Sequence, residues 1–284
     1  MEFNEFLNSE HSRKPHYLLI GNFVGHSVSP LMHNAAFEHY HIPATYHAVS
    51  VKGNEIETLI AHFNRFEFLG ANITIPYKQT LFEAVDTLGV EAAQIGAINT
   101  IVKRDGKVVG ENTDTWGFRI PIQNLEDELE GERAIIFGTG GATKAIVFAL
   151  EEMGLSEIIM VSRRPDKYSD NDPGISMCSY DNWAAYAEEA TIIINATPLG
   201  MIPNIDSSPV RDEEVELLKN KICYDIVYNP QETKFLKQAK SAGGITFGGL
   251  EMLVQQAAKA FKMWTGKEFP MGLIRMRLQD VFPN

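Results

Sequence analysis

Cysteine, basic charge and long apolar runs are all scarce in this 284-residue chain. Cys178 and Cys223 are its only cysteines, too few for a disulfide framework or a thiolate zinc site and in keeping with a reducing compartment. Lys and Arg number 25 against 37 Asp and Glu, a formal net charge of −12. The chain therefore lacks the basic field with which a protein neutralises a nucleic-acid backbone or an anionic membrane. Any phosphate it takes must be held locally. No run of about 18 apolar residues exists to span a bilayer. The opening stretch, MEFNEFLNSEHSRKPHY, has no apolar core of the signal-peptide kind. The expectation is a soluble cytoplasmic protein without nucleic acid, membrane or metal. What the chain does have is 44% hydrophobic residues, with 16 Phe, 9 Tyr and 3 Trp, which excludes disorder. At this length it predicts two domains.

Residues 1–15 read as a polar extension. Behind them, short β-rich runs alternate with helical periodicity: strands at 17–21, 45–49 and 70–75, helices at about 30–40, 54–65 and 78–88. That alternation signals βαβ units and a mostly parallel sheet. Asp105-Gly106, between apolar runs at 98–103 and 107–109, predicts a hairpin. A second cycle opens with the continuous apolar run 134–137, expected of a strand covered on both faces. A helix at 143–153, strands near 157–162, 191–195, 222–227 and 245–247, and closing helices at 249–265 and 271–281 follow. The acidic stretches 126–132 and 212–216 read as solvated helix faces and ends. The fold class expected is α/β in two domains.

Chemistry gathers where the strands end. Gly138-Thr139-Gly140-Gly141-Ala142 lies between a strand and a helix, where bare backbone N–H groups and the helix dipole suit a pyrophosphate; a plain tight turn is the alternative. The next strand ends in Ser162-Arg163-Arg164, with no carboxylate for a ribose 2′-hydroxyl. Two guanidinium groups suit a 2′-phosphate instead, which favours NADP (NADPH) over NAD. Asn195-Ala196-Thr197-Pro198 ends a third strand in a polar turn. In the first half, Ser27 and Ser29 precede a helix and serve equally as a ligand grip or as caps. Asn72 and Thr74 share one side of a strand end, with Lys78 at the start of the next predicted helix, an unfavourable place for a cation in dipole terms. Asp114 is either a cap for a helix beginning near residue 115 or a site carboxylate. His26, His33, His39, His41 and His47 share no ligand spacing with carboxylates and read as exposed or helix-surface histidines.

In order along the chain stand GNFVGHSVSPLMHN, GANITIPYK, GAINT, GENTD, FGTGGA, INATPLGM, YDIVYNP and GGLEMLVQQA. Together they resemble the shikimate dehydrogenase family over nearly the whole chain. The resemblance implies NADP-dependent, reversible reduction of 3-dehydroshikimate to shikimate in aromatic amino-acid and chorismate biosynthesis. It implies an N-terminal α/β substrate domain (1–115 plus 253–284), a Rossmann-type doubly wound NADP-binding domain (116–252), an active site in the cleft, and a monomer or homodimer. Lys78 matches the catalytic lysine and acts with Asp114. Ser27, Ser29, Thr74, Asn99, Asp114, Tyr228 and Gln256 match substrate contacts. Gly138, Thr139, Gly140, Gly141 and Ala142 match the pyrophosphate turn, Ser162, Arg163 and Arg164 the adenosine-phosphate patch, and Thr197, Ile226 and Gly249 other cofactor contacts. Thr139, Ser162, Arg164 and Ile226 depart from the commoner family residues, a pattern also compatible with a quinate/shikimate dehydrogenase of relaxed NAD/NADP use. A non-catalytic ligand-sensing relative is the reading from another class, opposed by the intact Lys78 and Asp114.

Overall fold

A computed structural model describes residues 1–167 and 174–282, which divide into two compact units, Met1–Thr113 with Gln256–Asn284, and Asp114–Gln255. The first unit opens with a helix where a polar extension is expected. Phe3, Phe6 and Leu7 form an apolar stripe at helical spacing, and α1 (Phe3–Asn8) buries both phenylalanines completely. They join a core with Leu18 and Ile20 of β1 (His16–Gly21), so residues 1–13 are part of the unit. After α2 (Ser29–His39), β2 (Thr45–Ser50), α3 (Ile56–Phe63) and β3 (Phe68–Ile73), the chain departs again from its local pattern.

No α-helix forms over 78–88. Residues 75–81 are turns, Phe82–Ala84 is a short 3-10 turn, and Thr87–Leu88 forms β4. Sheet pairing outcompetes helix propensity here: Asp86 exchanges main-chain and carboxylate bonds with Val108, at 2.9 and 2.7 Å, which draws the segment onto a sheet edge. Lys78 thus sits in a turn, and the dipole argument about it lapses. Beyond α4 (Val90–Ile95), the hairpin of β5 (Thr100–Arg104) and β6 (Lys107–Glu111) turns through Asp105 and Gly106, both at positive φ, as a type I′ turn requires. The sheet order is β2-β1-β3-β5-β6-β4, parallel from β2 to β3 and antiparallel through the hairpin.

The second unit runs through α5 (Asp114–Ile122), α6 (Glu126–Leu129), β7 (Arg133–Phe137), α7 (Gly141–Glu152), β8 (Glu157–Val161), β9 (Ile175–Cys178) and α8 (Ala184–Ala187). It continues with β10 (Ile192–Asn195), β11 (Ile222–Asp225), α9 (Lys234–Ser241) and β12 (Ile245–Gly248). All six strands are parallel, in the order β12-β11-β10-β7-β8-β9. Read from β9, that is 3-2-1-4-5-6, the doubly wound dinucleotide-binding order. Alternation along the strands feeds two cores: Ala134, Ile136, Ile192, Ile194 and Tyr224 on one face, and Ile135, Phe137, Ile193 and Cys223 on the other. Both cysteines are buried and unpaired, and burial pushes their thiols up, Cys178 to about 11 and Cys223 to about 12.

The last helices are α10 (Gly249–Thr265) and α11 (Met271–Gln279). Within the first unit, Trp264 reaches the sheet because Gly70 has no side chain; its indole N–H donates to Ile101 O at 2.9 Å. His33 corrects the expectation of surface histidines. It is fully buried, stacked on Tyr46 at 4.5 Å among Phe261, Trp264 and Phe269, and neither ring nitrogen has a hydrogen-bond partner. No helix among the described residues is long and apolar enough to cross a membrane, and none of their acidic, His or Cys side chains form a group of three or more suited to a metal ion.

Candidate active site

In the first unit Ser27, Ser29, Thr74 and Lys78 follow the carboxyl ends of β1 and β3, where open α/β sheets bind ligands; Asn99 immediately precedes the antiparallel β5, and Gln256 lies in α10. Val28, not a serine, occupies the cap position of α2. Ser27 Oγ accepts from Ser29 N at 3.2 Å, and the two hydroxyls are themselves 3.2 Å apart. Ser29 is buried in the first turn and Ser27 half-buried before it. Thr74 is the first residue beyond β3. Its N–H donates to Ile20 O at 2.8 Å, and its methyl fills the space left by Gly21. Lys78 is only 9% exposed, and its carbonyl accepts from Ile98 N, next to Asn99.

Asn99 joins Gln256 through Thr113: Asn99 Nδ2 donates to Thr113 Oγ1 at 3.0 Å, and Thr113 Oγ1 lies 3.5 Å from Gln256 Oε1. All three are buried. Tyr46, Thr100 and Thr113 were not among the expected site residues. Asn72, expected beside Thr74, belongs with them rather than with a ligand: it accepts from Tyr46 Oη at 2.8 Å and donates to Thr100 at 3.0 Å. The only sequence signal for this set is polar residues interrupting otherwise apolar strands.

The second unit holds Asp114 and Tyr228. Asp114 is buried as the first residue of α5 rather than as a cap ahead of it. Tyr228 is half-buried just after β11. The same unit holds the predicted cofactor residues. Gly138 follows β7 at φ +110°, a backbone state L side chains rarely adopt, and a Cβ there would lie 3.0 Å from Ala196 O and Thr197 Cγ2. The turn after β7 thus meets the turn after β10, at the point where strand order reverses. Gly140 caps α7 with open space where its side chain would be, and Thr139, Gly141 and Ala142 lie on either side of it. This bare backbone at a helix start fits a pyrophosphate. At the end of β8, Ser162 Oγ accepts from Arg164 N at 3.1 Å, and Arg163 and Arg164 are exposed.

A hub that sequence reading missed sits beside these turns. Asp225, fully buried, accepts from Asn195 Nδ2 at 3.0 Å, Val227 N at 2.9 Å and Thr233 Oγ1 at 2.6 Å. Asn195 Oδ1 in turn accepts from the Thr197 hydroxyl at 2.6 Å. Burial pushes the Asp225 carboxyl up to about 6, against the hydrogen bonds that favour its charged form. Gly249, the first residue of α10, has a steric reason to be glycine: a Cβ would lie 2.2 Å from Ile226 O.

Two family profiles match the chain: "Shikimate dehydrogenase substrate binding domain" over residues 19–101, and "Shikimate 5'-dehydrogenase C-terminal domain" over residues 249–279. A shikimate dehydrogenase (NADP(+)) of Bacillus cereus is 40% identical over 261 residues, covering 88% of this chain and 92% of that protein. The chain belongs to the shikimate dehydrogenase family. Among solved members, the shikimate 5-dehydrogenase of Thermus thermophilus in complex with NADP(H) and shikimate superposes with a TM-score of 0.82 at 31% identity, covering 94% of this chain and 99% of that one. A quinate dehydrogenase of Corynebacterium glutamicum in complex with NAD gives 0.84 at 27% identity, with coverages of 94% and 99%. Against that family background, the eight sequence motifs lie at strand ends and helix starts of both units.

Proposed function

We propose that the chain is an NADP-dependent shikimate dehydrogenase, interconverting shikimate and 3-dehydroshikimate in aromatic amino-acid biosynthesis. The observation that carries this reading is the glycine turn at the strand-order reversal, next to a β8 end that offers Ser162-Arg163-Arg164 and no carboxylate. When bound, NADP+ supplies the hydride acceptor; the chain supplies binding, orientation and proton handling. Gly138 to Ala142 hold the pyrophosphate, Arg163 and Arg164 the 2′-phosphate, and Thr197, Ile226 and Gly249 shape the site around the cofactor. Ser27 and Ser29 donate to the substrate carboxylate. Thr74, Asn99, Tyr228 and Gln256 bind its polar groups. Lys78 Nζ exchanges the proton at the reacting oxygen and offsets its developing negative charge, while the Asp114 carboxylate accepts from a substrate hydroxyl.

Initial rates with shikimate and quinate, each against NADP+ and NAD+, test this. Shikimate with NADP+ should be the fastest combination. Comparable rates on quinate would make the enzyme a quinate/shikimate dehydrogenase, the reading favoured by Arg164 and by likeness to the NAD-bound quinate dehydrogenase. Replacing Arg163 and Arg164 together with Ala should raise the KM for NADPH by about 10²-fold, two charge-assisted contacts' worth, with little change for NADH. An equal effect on both cofactors would mean that the arginines do not read the 2′-phosphate.

A further inference from the structure

Behind Asn99 and Gln256 runs a chain of buried hydrogen bonds with a fixed direction. Its anchor is a main-chain donor. Thr113 N lies 2.7 Å from the Asn99 side chain, and an N–H can only donate, so the atom facing it is Oδ1. Asn99 Nδ2 is then the donor to Thr113 Oγ1 at 3.0 Å. Thr100 Oγ1 donates to the same Oδ1 at 2.9 Å and accepts from Asn72 Nδ2 at 3.0 Å. Asn72 Oδ1 accepts from Tyr46 Oη at 2.8 Å. The Tyr46 hydroxyl remains a donor, because burial raises its pKa well above the ordinary tyrosine value. At the other end, the single hydrogen of Thr113 Oγ1 has Asn99 Oδ1 at 3.2 Å and Gln256 Oε1 at 3.5 Å as acceptors. Tyr46, Thr100 and Thr113, far apart in sequence, thus agree on which way the Asn72 and Asn99 amides point.

We propose that Thr113, supported by Thr100, Asn72 and Tyr46, is a positioning residue that locks the amide orientation of Asn99 beside Gln256. The Asn99 oxygen is committed inside the protein by Thr113 N and Thr100 Oγ1, which leaves the amide N–H side of Asn99 as the side that meets substrate. The site therefore selects an oxygen acceptor, hydroxyl or carbonyl, at the Asn99 position. Fully satisfied buried networks of this kind rigidify, whereas a half-satisfied one leaves an amide free to flip. The inference rests on the shikimate reading of the site.

The test is steady-state kinetics and shikimate titration calorimetry on Thr113→Val, Thr113→Ser and Tyr46→Phe. Thr113→Val keeps the main-chain anchor and shape but loses the hydroxyl between the two amides. Its KM for shikimate should rise about tenfold, with the KM for NADP+ unchanged and kcat less affected than KM. Thr113→Ser, which restores the hydroxyl, should behave as the wild type. Tyr46→Phe should give a smaller rise, about threefold. Combined with Thr113→Val it should add less than its separate effect, since both act through one network. Equal rises in both KM values, failure of serine to restore, or an unchanged shikimate KM in Tyr46→Phe and Thr113→Val would each overturn the proposal. If Thr113→Val does not fold, the serine and phenylalanine variants still decide. Wild-type protein that neither binds nor oxidises shikimate would overturn the functional reading together with this one; wild-type activity with indifferent variants would overturn only this one.

Discussion

Lys78→Ala should lower turnover of shikimate by about 10²–10⁴-fold, the range spanned by loss of a positioned proton-transfer group. The fold should survive, because the main-chain bond at Lys78, its carbonyl accepting from Ile98 N, forms whichever side chain it bears. The surrounding turn is held by neighbours, with Tyr77 Oη donating to Val51 O at 2.6 Å and Leu81 fully buried. Circular dichroism and thermal midpoint should therefore match the wild type while kcat collapses, and the KM for NADP+ should move little. Near-normal turnover would refute the catalytic assignment.

The second large effect is on stability in acid. Burial among aromatic rings pushes His33 down to about 3, whereas in the unfolded chain it titrates near 6.5. The folded state refuses a proton that the unfolded state takes up, so stability contributed by neutral His33 is present above about pH 6.5 and declines as pH falls toward 3. Between pH 7 and 4.5 this one residue should cost about 2.5 kcal/mol. His62 and His47, both lowered to about 4 chiefly by burial, act in the same direction. His33→Leu removes the titrating ring and its two unpartnered nitrogens. Urea unfolding midpoints at pH 7 and 4.5 should converge in that variant relative to wild type. Identical pH dependence in the two proteins would exclude His33 as the source.

The difference between what local pattern reveals and what it conceals is visible in particular residues. The β7 run followed by glycines was legible because a strand buried on both faces and a bare turn each leave a signature in adjacent residues. Asp105-Gly106 was legible for the same reason: positive φ at two successive positions selects those residue types. The segment after Tyr77 carries a helical local pattern, and its strand partner, Val108, lies in a hairpin later in the chain. The Phe3 and Phe6 stripe was hidden among polar neighbours, and its burial depends on Leu18 and Ile20. His33 looked like a surface residue because its aromatic enclosure is assembled largely from residues 261–269. In the site, Asn99 and Gln256 carried motif signatures, whereas Tyr46, Thr100 and Thr113 become meaningful only through partners up to 143 residues away.

The two buried thiols have a use outside catalysis. Thiolate is the reactive form, and burial holds both groups in the thiol form while also denying reagents access. Both belong to the Asp114–Gln255 unit, and the other unit has none. Alkylation therefore proceeds through openings of one unit alone, and its rate in the native protein is a built-in gauge of how often that unit breathes.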